Sequence, residues 1–239
     1  MFFISKKKLF CFEIKKQNPT FVLSNNKYFM LEKVIYTVGH STHPIAYFAE
    51  LLETYHINCV VDVRSVAASR YNPQFNKEPL MHYLRRSGVN YLHFDREFGA
   101  RQTDPSVLDE NNRVDFEKIR QTAAFTEGVT RLEKGIANGY RIALMCSEAE
   151  PFDCHRFAMV SVGLIEHGFS VKHIMKDKSL RTNTELEAEL LRKYAKKLPQ
   201  PTIFEPNVTA DLQLKTAYKF RNQHIGWLTT DDNEQDERL

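Results

Sequence analysis

The apolar positions of this chain change period along its length. Residues 34–38 (VIYTV) form a short β-branched and aromatic run, and residues 58–63 (NCVVDV) a nearly continuous apolar one. Such runs suit strands covered on both faces of a parallel sheet. Between them Ile45, Phe48, Leu51, Leu52 and Tyr55 recur at helical spacing. Pro44 suits the first helical position, after the cap candidates Ser41 and Thr42. Residues 78–87 predict a helix stopped by Gly88, and 89–94 (VNYLHF) a third strand. Phe116 and Ile119 mark one helical stretch. Phe125, Val129, Leu132 and Ile136 mark another, ending near Asn138 and Gly139. Residues 141–145 (RIALM) read as a fourth strand, 154–167 as a helix ended by Gly168, and 171–175 (VKHIM) as a fifth strand. Thr184 and Glu187 fit a capping box, with Leu186, Leu190, Leu191 and Tyr194 on one face of the helix that follows.

Alternating strands and helices predict an α/β fold: a three-layer, open, mainly parallel sheet with helices on both faces, Rossmann-like in outline. Its limits fall near residues 30–198. Residues 95–114 are polar and broken by Gly99, Asp104-Pro105 and Asn111-Asn112, a long loop of the kind that often serves as a lid. After Pro199 the periodicity is lost, so 199–239 read as a C-terminal tail with a frayed acidic end over 229–239. No internal repeat is present.

Residues 1–29 differ from the rest. Phe, Lys, Asn, Ile and Tyr supply 18 of these 29 residues, while Gly, Ala, Asp and Arg are absent. The expectation is that Met30 is the natural start and that 1–29 are an extension of the reading frame; the competing reading is a genuine N-terminal arm. The mass of the native protein separates the two.

Across 239 residues, apolar types make up 42% and charged types 26%, an ordinary soluble composition that excludes collagen-like and largely disordered chains. The net charge of +3 is too small to demonstrate a nucleic-acid partner. No apolar run approaches the ~18 residues of a membrane span. Three lysines interrupt the first apolar residues, so no secretory signal is read. Four irregularly spaced cysteines (Cys11, Cys59, Cys146, Cys154) do not make a disulfide framework. Reduced thiols and a cytoplasmic location are expected.

The candidate chemistry follows the predicted strands. Gly39, His40 and Ser41 follow the first; Asp62 and Arg64 close the second; His93 ends the third; Cys146, Ser147 and Glu148 follow the fourth. Ligands of open parallel sheets bind beyond the carboxyl ends of the strands. Cys154, His155 and Arg156 begin the next predicted helix, where unpaired N–H groups favour anions and lower thiol pKa values. His40, His93 and His155 are candidate bases, and Arg64, Arg70, Arg101 and Arg156 candidate clamps for phosphate or carboxylate.

Each assignment has a competitor. Asp62 and Arg64 equally suit an ion pair tying strand to loop. Cys59 sits inside an apolar strand and reads as core, and His173 suits a core histidine. Cys146, Cys154 and His155 offer soft metal ligands. Their C-x7-C-H spacing is not a usual zinc pattern, however, and a fourth ligand would have to come from another strand, so no metal is assigned. No C-x-x-C motif, phosphate loop or dinucleotide fingerprint is present.

The strings YTVGHST, VVDVRS, SRYNPQFNK, GVNYLHF, LMCSEAEPFDCHR and VKHI together resemble the domain-of-unknown-function family 488, over about residues 34–190. The resemblance implies Gly39, His40, Ser41, Asp62, Arg64, Ser69, Arg70, Asn72, Pro73, Phe75, Cys146, Glu148, Cys154, His155 and Arg156 as motif positions. It brings no settled activity, although some relatives carry DNA-repair labels. Many members show Leu-Gly-Gly where this chain has Phe98-Gly99-Ala100, and Ala100 cannot take positive φ as cheaply as glycine. A fainter likeness to rhodanese-like domains stops at the loop after Cys146. There the first arginine comes ten positions later, and Glu148, Glu150 and Asp153 intervene.

The resulting expectation is an enzyme-like domain acting on an anionic ligand, a nucleotide or nucleic-acid end. Cys146 is the favoured nucleophile, Cys154 assists, His40 or His155 acts as base, and Glu148 orients or transfers a proton. Gly39, Ser41, Asp62, Arg64, Arg70, Asn72 and Arg156 bind the ligand. The alternatives are a non-catalytic nucleotide or nucleic-acid binding module and a metal-dependent hydrolase. No motif specifies a cofactor or an oligomeric state.

Overall fold

The computed structural model describes residues 32–204 and 206–229; the expectation for residues 1–29 lies outside them. Six strands form one sheet: β1 (Lys33–Gly39), β2 (Cys59–Asp62), β3 (Asn90–His93), β4 (Ile142–Cys146), β5 (Phe169–Ile174) and β6 (Leu180–Thr182), in the order β3-β2-β4-β1-β5-β6. All pairings are parallel except that of β5 with β6. The helices are α1 (Ile45–Thr54), α2 (Lys77–Arg86), α3 (Asp95–Phe98), α4 (Phe116–Arg120), α5 (Ala123–Ala137), α6 (Val162–Glu166), α7 (Asn183–Tyr194) and α8 (Ala210–Ile225).

Strand alternation divides the core into two layers. Tyr36, Val38, Val60, Ala143 and Met145 point to one face, where Phe48, Leu51 and Leu52 of α1 and Leu80 and Leu84 of α2 cover them. Ile35, Val61, Leu144 and Cys146 point to the other, beneath Phe125, Val129 and Leu132 of α5, Leu164 of α6 and Leu186 and Leu190 of α7. This is the expected three-layer α/β architecture. The chain runs outward from β1 to β3 on the first face and returns on the second to insert β4 between β2 and β1. Neighbouring strands β1 and β4 therefore send their following segments to opposite faces, which opens a crevice at their carboxyl ends.

Several local features differ from the periodicity. Pro44 stands just before α1 with extended ψ rather than inside it. The capping box is Thr182 with Glu185, two positions before the expected pair: the short antiparallel strand β6 ends at Thr182, and Asn183 is buried against His173 and Tyr218. The helix expected over 154–167 begins as a π-helical turn, Arg156–Ser161, and becomes α-helical only at Val162. Within that turn Ser161 Oγ donates 2.6 Å to the Arg156 carbonyl, five residues back. Residues 199–239, read as a tail, include α8, which packs against α7. Arg221 of α8 is 4% exposed, lies over the Phe152 ring and donates to Phe152 O (2.9 Å) and Asp153 Oδ1 (2.5 Å). Ala217, buried, and Leu214, Tyr218 and Ile225 pack on the core beside it, so the helix docks through a narrow apolar stripe together with a buried cation. Finally, Ala100 is not among the described non-glycine residues with positive φ, which are Ser41, His56, Asn112 and Lys178. The Leu-Gly-Gly departure thus places no strain there.

No described helix is long and apolar enough to cross a membrane.

Candidate functional site

The site grows from the ends of β1, β2 and β4. Gly39 pairs with Cys146 and Asp62 with Met145 in register. Beyond the strands the pairing continues: His40 N donates to Cys146 O and Ser41 N to Ser147 O, each at 2.9 Å. The loop after β4 then folds back across β1. A Cβ on Gly39 would stand 1.9 Å from the Glu148 carbonyl oxygen, so that approach is open only to glycine. Arg156, fully buried, holds the same loop from inside, with Nη1 donating to Glu148 O (2.6 Å) and Nη2 to Ala149 O (2.9 Å).

Folded this way, the loop brings four groups together. The ligand-capable atoms of Cys146, Glu148, Cys154 and His155 all lie within 4.8 Å of one another. Both sulfurs are 2.9 Å from Glu148 Oε2 and 3.8 Å from His155 Nδ1. His155 Nε2 lies 3.0 Å from Val63 O. A carbonyl only accepts, so Nε2 carries a proton and Nδ1 faces the sulfurs. Cys146 and Cys154 are buried, whereas Glu148 is exposed toward the crevice.

Without any further ion, the electrostatics separate the two thiols. Burial raises the Cys146 thiol well above its ordinary value, and its hydrogen bond to Cys154 adds to the shift. Burial acts against the Cys154 thiolate too, but the Cys146 hydrogen bond and the Arg156 and His155 charges overcome it and pull that thiol down. His155 is likewise pulled up against its burial, chiefly by Cys154. Burial pushes the Glu148 carboxyl up, with the neighbouring Cys154 charge adding to it. The two sulfurs share one environment, in which burial opposes ionisation and the Arg156 charge favours it.

At the end of β2 a second constellation is closed on itself. Arg64, 4% exposed, donates through Nε to Asp62 Oδ1 (2.9 Å) and through Nη2 to Asp62 Oδ2 (2.6 Å) and Phe75 O (2.8 Å). Its Nη1 stands 3.2 Å from His40 Nε2. Tyr91 OH donates to Asp62 Oδ2 at 2.7 Å. His40 stacks on Phe75, and its Nδ1 is 2.8 Å from Ser41 O. His40 thus donates from Nδ1 and accepts at Nε2. Burial first, then the Arg64 charge, lower its pKa to about 4, against the Ser41 hydrogen bond. The Nε2 lone pair of His40, expected as a base, faces Arg64 Nη1. Arg64 and Arg156, expected as anion clamps, both turn inward: Arg64 bonds Asp62, Phe75 O and His40, so the ion-pair reading of Asp62 and Arg64 is realised, while Arg156 holds two loop carbonyls through Nη1 and Nη2 and its buried Nε has no partner among the described residues.

A cleft of about 1070 Å3 lies over both constellations. Arg64, Cys146, Glu148 and His155 line its floor; Ser69, Arg70, Arg101 and Arg113 stand in its walls. Arg101 N donates to Ser65 Oγ (2.8 Å), tying the loop after α3 to the loop after β2. Gly39, His40, Ser41, Asp62 and Asn72 do not line the cleft, and Cys154 lies behind it. Pattern reading missed Trp227 and His224, which also line it. They are placed by a strap in which Val114 N donates to Trp227 O and Thr229 N to Asn112 O. The one sequence signal was that the chain's single tryptophan stands just before its acidic, polar end.

Fold and site together define an α/β open-sheet protein with a cysteine–histidine–carboxylate cluster at the strand ends. Residues 44–162 match the family model described as "Domain of unknown function DUF488", and the chain belongs to that family. The match is shorter than the resemblance read from the motifs and leaves out Gly39, His40 and Ser41. Comparison with curated proteins and with solved structures gave no match.

Proposed function

We propose that this protein is an enzyme acting on an anionic ligand, a nucleotide or nucleic-acid end, bound in the cleft beyond β1, β2 and β4. The observation that carries the reading is the placement of the Cys146–Glu148–Cys154–His155 cluster at the floor of a cleft walled by Arg70, Arg101 and Arg113. Cationic walls recognise phosphate, and the half-buried Trp227 offers a face on which a base can stack. The buried Asp62–Arg64–His40 set is a positioning device in this reading. It fixes the end of β2 and, through the neighbouring Val63 carbonyl, the ring of His155.

The test uses a fluorescent 5′-phosphorylated oligonucleotide and a nucleoside triphosphate as probes. Salt-dependent binding of at least one, weakened about tenfold by Arg101→Ala, is expected. Absence of binding at millimolar probe, or binding indifferent to Arg101→Ala, overturns the reading. The second reading, a binding module without chemistry, draws on Tyr71, 92% exposed beside Arg70. It is selected if probe binds unchanged in composition and Tyr71→Ala weakens binding more than Arg101→Ala.

A further inference from the structure

We infer that Cys146, Cys154, His155 and Glu148 form a binding site for one soft divalent cation of the zinc class. The inference rests on the reading of this cluster as the reacting centre and names what that centre holds.

Three observations carry it. The first is distance. A tetrahedral zinc with bonds of about 2.0–2.3 Å sets its ligand atoms roughly 3.3–3.8 Å apart. Both sulfur-to-Nδ1 separations are 3.8 Å. The two sulfur-to-Oε2 separations, 2.9 Å, are hydrogen-bond lengths that need to open by about half an ångström when an ion replaces the protons. The second is the orientation of His155. Its Nε2–H is held by Val63 O, so Nδ1 is the nitrogen turned toward the sulfurs and becomes a ligand once an ion displaces any proton shared there, the arrangement that prepares a histidine for a metal. The third is charge. Once both thiols give up their protons, two thiolates and a carboxylate would carry three negative charges in a largely buried site. The buried Arg156 guanidinium, bonded to the carbonyls of Glu148 and Ala149, offsets one of them. A divalent cation offsets the other two.

The fourth ligand comes from the same loop as Cys146, not from another strand as the C-x7-C-H spacing suggested. Sequence spacing hides it because the loop doubles back over Gly39. Binding exchanges the protons that the two sulfurs and His155 Nδ1 hold among them for one cation, with no change of oxidation state, and releases those protons to solvent. The two sulfurs are buried and Glu148 faces the cleft, so Glu148 is the ligand that an anionic substrate oxygen displaces.

The experiment uses the full chain, purified under reducing conditions, stripped with a chelator and reloaded with one equivalent of Co2+. A tetrahedral visible spectrum with thiolate-to-cobalt charge-transfer bands is expected at one ion per chain. Cys154→Ser abolishes the charge-transfer bands or reduces them to one thiolate, and Glu148→Gln weakens the site about 10- to 100-fold while keeping them. If the cysteine variants fail to fold, the charge-transfer intensity and stoichiometry of the unaltered chain still decide. No charge-transfer band on loading, or a Cys146–Cys154 disulfide in the purified protein, overturns the inference. Probe binding that responds to Arg101→Ala, together with no charge-transfer band, would leave the anion reading standing and remove only the metal. A cobalt spectrum without probe binding would do the reverse.

Discussion

The ends of β2 and β4 lie side by side, yet they are built on opposite principles. At β2 a carboxylate meets a guanidinium, a phenol and an imidazole, and the set satisfies itself. At β4 two thiols, a carboxylate and an imidazole face one another, three potential anions against one imidazole. The first is complete as folded. The second brings together three groups that repel when ionised, with only His155 among them and the buried Arg156 behind them to offset that charge. A constellation that closes on itself holds the scaffold; one that converges without neutralising itself is arranged to receive something.

The contrast can be broken most strongly at β2. Asp62→Ala leaves the Arg64 guanidinium buried without its counter-charge, and a loss of about 3–5 kcal/mol in urea unfolding is expected. Glu148→Gln in metal-free protein, at an exposed position, is expected to cost under about 1 kcal/mol. Equal losses would erase the distinction.

Acid attacks the closed side next. His40 has its pKa lowered to about 4, and His173, buried beside Thr37 and Asn183 with the Arg156 charge opposing protonation after burial itself, to about 3. Both are neutral in the fold and take up protons on unfolding below about pH 6.5. The unfolded state then binds more protons, so stability falls as pH drops from about 6.5 through 4. The contribution of His40 alone is about 3 kcal/mol over that window. Denaturation at pH 7, 5.5 and 4.5 checks this, and His40→Gln is expected to flatten part of the slope.

Gly39→Ala tests the seam between the two regions. A methyl group 1.9 Å from Glu148 O pushes the loop outward, at an expected cost of about 1–3 kcal/mol. Binding of Co2+ with thiolate character is expected to weaken more than stability does, because the loop carries the cluster. The smallest effect on stability is expected for Arg101→Ala, within about 0.5 kcal/mol by thermal unfolding, since its side chain is exposed on the cleft wall.

Much of this organisation was legible as pattern. Continuous apolar strands at 34–38, 58–63 and 141–145 announced a buried parallel sheet, and the polar motifs at their ends announced the edge on which a site would lie. What pattern did not carry was the direction of individual side chains. Arg64 and Arg156 read as surface clamps because arginine chemistry is the same whether it meets a ligand or a carbonyl; only packing turns both inward. Helix α8 carries a narrow apolar stripe, Leu214, Ala217, Tyr218 and Ile225, interrupted by the buried Arg221, and such a short stripe amid polar residues is weak as a pattern.

By itself the chain determined its five parallel strands and the residue types delivered to the strand ends, since hydrophobic period and β-branched runs are local properties. Only the tertiary structure decided which of those residues meet. A glycine at position 39 lets one loop fold over a strand, and a buried arginine at 156 pins it there. Together they bring Glu148 into contact with two cysteines and a histidine, an association that linear spacing does not contain.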